Sequence, residues 1–270
     1  MPENRNDLNE ILAAVPSAVI GRDMSGFARD SFKASMARYD EETRGIWEAL
    51  QAYVNTHPEE RERAVRLAAK TLVTAVQEDL NAPGRYKGFN AKNLRQDDYR
   101  MIVVAYLTPE LDCLALPISG DLQQAIHDEW VAVWPKQDYR FITLDKIEQG
   151  FRKKWYQCYI TQAVCEYLGK ADDGEEMTAF RRFRDGYLRA CPDGDALIRE
   201  YYETAPAIVL HMELSADRET RYKTLWSDFL MPCLRDIENG ENEACKARYV
   251  RMVRELEKEY LSCGQPPFII

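Results

Sequence analysis

Cys158 and Cys165 stand seven positions apart in a stretch of helical spacing, and thiols are the most nucleophilic groups this chain offers. On one helix they share a face but lie roughly 10 Å apart along the axis. A disulfide needs Cα atoms within about 7 Å, so the two do not bridge each other there. They do not match the paired spacing of a zinc site either. A thiolate nucleophile at Cys158 requires a base, and His127 and His211 are the candidates. The competing reading, a structural thiol, is the stronger, because cysteine is among the most buried residue types.

A second constellation follows in Phe180-Arg181-Arg182-Phe183-Arg184-Asp185, with Arg189 beyond it and the pair Tyr201-Tyr202 after a turn at Cys191-Pro192-Asp193-Gly194. Arg181 and Asp185 are four apart, which predicts an ion pair on a helix surface. Guanidinium groups near two tyrosines can hold a small anionic ligand, a phosphate or carboxylate, through bidentate hydrogen bonds. The plainer reading makes Arg181, Arg184, Asp185, Tyr201 and Tyr202 an internal network pinning the arginine helix to the tyrosine helix. A third feature, Arg85-Tyr86-Lys87-Gly88-Phe89 with Lys92 and Arg95, places rings beside positive charge. Within residues 85–95 these could stack bases and neutralise phosphates of RNA, or form a solvated loop.

Other chemistry is missing. The three histidines are far apart in sequence, and no phosphate-cradling glycine loop, serine elbow or paired-carboxylate motif occurs. No metal or cofactor is expected, and the chain reads as a binding protein more readily than as an enzyme. A net charge of -9 repels nucleic acid unless the positive residues are segregated. Seven cysteines without close pairing suit a reducing compartment, which points to the cytoplasm. No stretch approaches the roughly 20 apolar residues of a membrane helix.

The elements that must position these groups are helical throughout. Phe32, Met36, Tyr39, Ile46, Leu50 and Tyr53 step by threes and fours, with Thr43 in the gap and Trp47 broadening the face. Thr56 with Glu59 predicts the start of a helix striped by Val65, Ala68, Leu72, Val76 and Leu80, ended by Asn81-Ala82-Pro83-Gly84. Met101–Leu107 is read as helix. Ser119 is expected to cap another, carrying Leu122, Ile126 and Trp130. From Asp145, residues Ile147, Phe151, Trp155, Cys158 and Cys165 predict one helix running to a Gly169 cap. Helices with Pro206 and Pro232 inside them follow, and the last, Glu241 to Leu261, carries Cys245, Tyr249, Val253, Leu256 and Tyr260 on one face.

No period-two alternation is long enough for a sheet. The expected fold is all-α, an irregular multi-helix bundle of about eight to ten helices. It is divided into a loosely held segment 1–26, a helical region 27–142 and a helical region 143–270, within one compact body.

The cysteine segment Cys158-Tyr159-Ile160-Thr161-Gln162-Ala163, the Phe183-Arg184-Asp185 triplet with Leu188, and Tyr201-Tyr202 with Pro206 together resemble the CFI-box family, a bacterial C-terminal module named for its Cys-Phe-Ile start. Tyr159 stands where that family has phenylalanine, and Thr161-Gln162 replaces a smaller pair. The resemblance covers residues 158–212. It implies a compact helical module and no particular reaction. The sequence therefore favours a cytoplasmic, non-catalytic interaction or ligand-binding protein, with a protein partner or a small anionic ligand. Self-association is expected through the amphipathic 27–55 or 241–262 helix. A cysteine-dependent enzyme centred on Cys158 and an RNA-contacting protein using residues 85–95 are the alternatives.

Overall fold

A computed structural model describes residues 7–86, 89–152, 158–215 and 217–261. Among the described residues there are eleven helices and no strands, the all-α multi-helix bundle that the spacing predicts. The chain divides into two compact units, one ending at Ile147 and the other beginning at Glu148. That division falls a few residues past the start of the expected 143–270 region. Trp155, expected on the cysteine helix, lies outside the described residues.

The first unit opens with α1 (Leu8–Ala14) and a 3-10 turn (Val15–Ala18). Leu8, Ile11 and Val15 recur at helical spacing and are buried, so residues 8–18 of the segment expected to be loosely held are anchored by their own apolar stripe. In α2 (Phe32–Thr56) the buried line is Phe32, Met36, Tyr39, Thr43, Trp47, Leu50 and Val54. Trp47, expected only to broaden the face, lies in the buried line, while Ile46 is half-buried and Val54 is buried in place of Tyr53. Thr56 does not cap the next helix. Its hydroxyl donates to Tyr53 O at 2.9 Å, closing α2, and a 3-10 turn (Pro58–Glu60) leads into α3 (Arg61–Asn81), whose expected stripe is buried.

The core of this unit is α4, formed by Phe89–Ile102, a π-helical turn (Val103–Leu107) and Thr108–Leu114. Every residue from Asp98 to Leu111 is buried, as befits a helix covered on all sides. Pro109 follows the π turn after one intervening residue, Thr108. A proline ring clashes with the carbonyl four residues back, and the wider i→i+5 turn relieves that clash. The same device recurs in the second unit. Next comes α5 (Ser119–Val133), which packs along α3. Ser119 is its first residue and accepts from the Leu116 amide at 3.1 Å instead of capping the helix as expected. α6 (Leu144–Arg152) is the last helix before the cysteine segment.

The second unit holds α7 (Tyr159–Tyr167) and α8 (Glu175–Arg182 continued by a π turn, Phe183–Leu188). It also holds α9 (Gly194–Glu213), α10 (Arg218–Leu225, a π turn Trp226–Leu230, then Met231–Glu238) and α11 (Asn242–Tyr260). One apolar core joins all five. Pro232 again follows a π turn. Gly169 and Gly240 sit at positive φ after α7 and α10. Their following amides reach back to Cys165 O (2.8 Å) and Asp236 O (2.7 Å), the Schellman closure that only glycine adopts freely. The apolar stripes of α2 and α11, which the sequence offers to a second copy, are buried within their own units.

Candidate functional site

The cysteine segment is not one helix from Asp145 to Gly169. Cys158 has φ −81 and ψ 76 and is the N-terminal flank of α7, which begins at Tyr159. Its thiol cannot cap the helix as a hydroxyl or carboxylate would. The cap comes from another helix: the Ile160 amide donates to Tyr201 Oη at 2.9 Å. This is one of the orphan N–H groups of a helix start, satisfied by a tertiary partner. Tyr249 on α11 donates to the same Tyr201 oxygen at 3.3 Å and meets Thr161 Oγ1 at 3.0 Å. α7, α9 and α11 are thus joined at one buried hydroxyl cluster. Burial holds the Tyr201 phenol well above its ordinary pKa.

A second joint forms around Arg184, which the π turn of α8 carries. Its Nη1 donates to Tyr202 Oη at 2.8 Å and lies 3.7 Å from Cys158 Sγ. Its Nε and Nη2 donate to the two oxygens of Asp185 at 2.8 and 2.7 Å, a bidentate pair. Burial pulls this guanidinium down, but Asp185 together with Cys158 and Tyr202 more than offsets burial, and the group stays charged. Arg184 in turn lowers the Asp185 carboxyl.

The expected Arg181–Asp185 pair does not form. Arg181 instead grips Asp172, through the backbone oxygen and Oδ1, both at 2.6 Å. The π turn is the reason, because it starts at Phe183 and breaks the 3.6-residue register that would stack residues 181 and 185.

Between these joints lies a cavity of about 70 Å³. α8 contributes Phe180, Phe183, Arg184 and Leu188, and α9 contributes Leu197, Ile198, Glu200, Tyr201 and Tyr202. α11 contributes Tyr249, Val250, Val253, Arg254 and Glu257, and Cys158 completes the wall. Arg254 spans α11 and α9, with Nη2 on Glu200 Oε2 at 2.7 Å and Nη1 on Glu257 Oε2 at 2.9 Å. Thr204 fixes Glu257 from behind at 2.9 Å. The two arginines and two glutamates of the wall cancel in formal charge, and most of the wall is aliphatic or aromatic.

Four of the residues singled out from sequence, Cys158, Arg184, Tyr201 and Tyr202, meet at this cavity, with Asp185 paired behind Arg184 and Arg181 absent from the wall. Neither Arg182 nor Arg189 lines it. The α11 residues and Glu200 had no sequence signal beyond amphipathic spacing, since the Arg254–Glu200 pair joins residues far apart in the chain.

Cys158 is buried, and burial raises its thiol against the opposing pull of Arg184. Among the wall residues there is no imidazole. His127 belongs to the first unit, where it meets Asp138 Oδ1 at 2.8 Å, and His211 is buried beside Tyr260. Cys165, on α7 with Met177 and Trp226 around it, is pushed up to about 11 by burial.

In the first unit the basic, aromatic stretch 85–95 is largely helical from Phe89 onward. Its described charges are paired within the unit. Arg85 pairs with Asp79 at 2.6 Å, Tyr86 and Tyr99 donate to the same carboxylate at 2.5 and 2.7 Å, and Arg95 lies over Tyr99 and donates to Arg22 O at 2.8 Å. Lys92 donates to Asn81 Oδ1 at 2.7 Å. Lys87 and Gly88 lie outside the described residues.

Among the described residues, no group of three or more His, Cys, Asp or Glu side chains is placed to hold a metal ion, and no helix is long and apolar enough to cross a membrane. No family model, curated protein or solved structure matches this chain.

Proposed function

We propose that the chain is a non-catalytic ligand-binding module whose second unit takes a small, uncharged and mainly apolar molecule. The observation that carries this reading is the cavity bounded by Ile198, Phe183, Val253 and Tyr202. Its volume of about 70 Å³ is several times the ~10–15 Å³ that admits one water. A pocket of apolar walls with a few convergent polar groups is the general form of a small-molecule site. Charge argues for a neutral ligand over an anionic one. Arg184 and Arg254 each already meet carboxylates, so an arriving anion must displace Asp185, Glu200 or Glu257.

The likeness of residues 158–212 to the CFI-box module fits the same proposal, since its three parts converge on this wall. The enzyme reading finds less support. A buried thiol held protonated, without a neighbouring imidazole, lacks the activation a cysteine nucleophile needs. The RNA reading is weakened because Arg85, Lys92 and Arg95 already have partners within the unit.

The test is an amide-shift titration of the whole chain with phenol, 1-hexanol and benzoate. The two neutral probes should give saturable shifts centred on Ile198, Tyr202 and Val253, and benzoate should bind more weakly. Ile198→Trp should fill the space and abolish the shifts while the far-ultraviolet circular dichroism stays native. Absence of saturation with both neutral probes, tighter binding of benzoate, or a turnover lost in Cys158→Ser overturns the proposal.

A further inference from the structure

The first unit carries a second concavity, a cleft of about 530 Å³ between the α1–α2 connection, the N-terminal half of α2 and α4. That volume lies within the ~300–1,000 Å³ range of small-molecule sites. Its wall is the opposite of the apolar cavity: hydroxyl and charged groups dominate, over a floor of buried Tyr39, Ile102 and Tyr106.

The charges of this wall divide into two classes. Arg22 and Glu42 satisfy each other at 2.8 Å. Arg22 is further fixed by its Nε on Ser17 O at 2.8 Å and by stacking 4.6 Å from the Tyr39 ring centre. They are part of the scaffold. Arg38 and Asp23 are different. Arg38 is exposed and has no ion-pair partner among the described residues, although it lies one turn before Glu42, which Arg22 has taken. Asp23 is exposed, and its carboxylate takes hydrogen bonds from the amide (2.8 Å) and side chain of Ser25 and feels the charge of Arg95, but no cationic nitrogen lies within ion-pair distance among the described residues. The cleft thus presents one positive and one negative group that no ion pair neutralises among the described residues.

A simple anion arriving at Arg38 meets Asp23 and Glu42 as well, and a simple cation arriving at Asp23 meets Arg38. A ligand carrying both charges gains from each. We propose that this cleft binds a small zwitterion of the α-amino-acid class, with its carboxylate taken by Arg38 and its ammonium by Asp23. Ser35, whose hydroxyl already meets Tyr106 Oη at 3.1 Å, lies one turn before Arg38 and offers its remaining lone pair or proton to the ligand's polar side chain. Gly26 keeps this approach open, since a Cβ there would sit 2.2 Å from Ser35 Oγ.

The experiment is calorimetric or amide-shift titration of the full chain with glycine, L-serine and L-glutamine. Acetate, methylammonium and inorganic phosphate serve as single-charge controls. At least one zwitterion should bind saturably and about tenfold or more tighter than every control. Arg38→Gln and Asp23→Asn, both exposed and thus compatible with folding, should each weaken that binding by about tenfold. Ile198→Trp in the second unit should leave it unchanged, which separates this site from the apolar cavity. No saturable binding of any zwitterion, a control binding as tightly, or unaltered affinity in both charge variants overturns the inference.

Discussion

Replacing Glu110 with glutamine should stabilise the first unit at neutral and alkaline pH and leave it unchanged in mild acid. Glu110 is fully buried in α4, next to the π turn. Thr43 Oγ1 lies 2.6 Å from its Oε1, and Trp47 Nε1 donates to its Oε2 at 2.8 Å. Thr43 Oγ1 also lies 2.6 Å from Tyr39 O. A hydroxyl has one proton, so Thr43 cannot donate to both oxygens. The network closes fully only if Glu110 is protonated: its O–H then donates to Thr43, Thr43 donates to Tyr39 O, and the indole serves the other carboxyl oxygen. Burial acts in the same direction and raises the carboxyl from 4.5 to about 7, against the opposing hydrogen bonds of Thr43 and Trp47.

The sign of the linkage follows from the raised value. The folded state binds this proton more tightly than the unfolded chain, so the stabilisation is complete below pH 4.5 and is lost as pH rises to about 7. Shifting the titration from 4.5 to about 7 corresponds to about 3 kcal/mol. Glutamine imitates the protonated acid, its NH₂ donating to Thr43 and its oxygen accepting from Trp47. Urea denaturation of wild type and Glu110→Gln, followed by indole fluorescence between about pH 4.5 and 8.5, gives a difference in which all other titrations cancel. The variant should match wild type at the acid end and exceed it by up to about 3 kcal/mol at the alkaline end. A difference that does not change with pH, or one that favours wild type as pH rises, refutes the reasoning.

Other outcomes follow from single contacts. Ala115 ends α4 at φ 47 in the left-handed region, so Ala115→Gly should raise stability by about 0.5–1 kcal/mol, read from a shifted denaturation midpoint. Tyr201→Phe removes the buried oxygen that caps Ile160 and should cost about 1–3 kcal/mol; a change too small to measure would mean that α7 is not held by that bond. Gly194→Ala would place a Cβ 1.9 Å from Leu188 O where α8 meets α9, and overpacking of that kind should cost about 1–3 kcal/mol by thermal unfolding. Peptide mapping after iodoacetamide treatment of the native protein should find exposed Cys113 modified well before Cys158, and the reverse order would revive a reactive-thiol role for Cys158.

Helix identity was legible because burial repeats along each helix with its own period: Val65, Ala68, Leu72, Val76 and Leu80 of α3 needed no tertiary knowledge. Register failed where the π turn of α8 intervened. The turn at Phe183 separates Arg181 from Asp185, and no local propensity announces it, since it answers to packing. Pro232 was visible as an irregularity inside a helix, but that the helix continues through it by widening ahead of the ring was not. Of the cavity, the residue types that stand out in sequence, Cys158, Arg184 and the tyrosine pair, were found. The aliphatic half, Ile198 and Val253, was invisible, because an apolar residue facing a void has the same spacing as one facing a neighbour.

That asymmetry explains how the apolar cavity persists. A core lined only by flexible aliphatic groups would relax inward, since an unfilled volume forfeits dispersion contacts along its whole lining. Here the spacing of α8, α9 and α11 is set by polar joints at its edges. Arg184 on Tyr202 fixes α8 to α9, Arg254 on Glu200 fixes α11 to α9, and Tyr249 on Tyr201 fixes the same pair from the α7 side. Each joint has a directional length that collapse would break, so the space between them is maintained by groups that need not touch a ligand. The polar residues that the sequence makes conspicuous thus act as braces, and the inconspicuous aliphatic ones form the recognition surface.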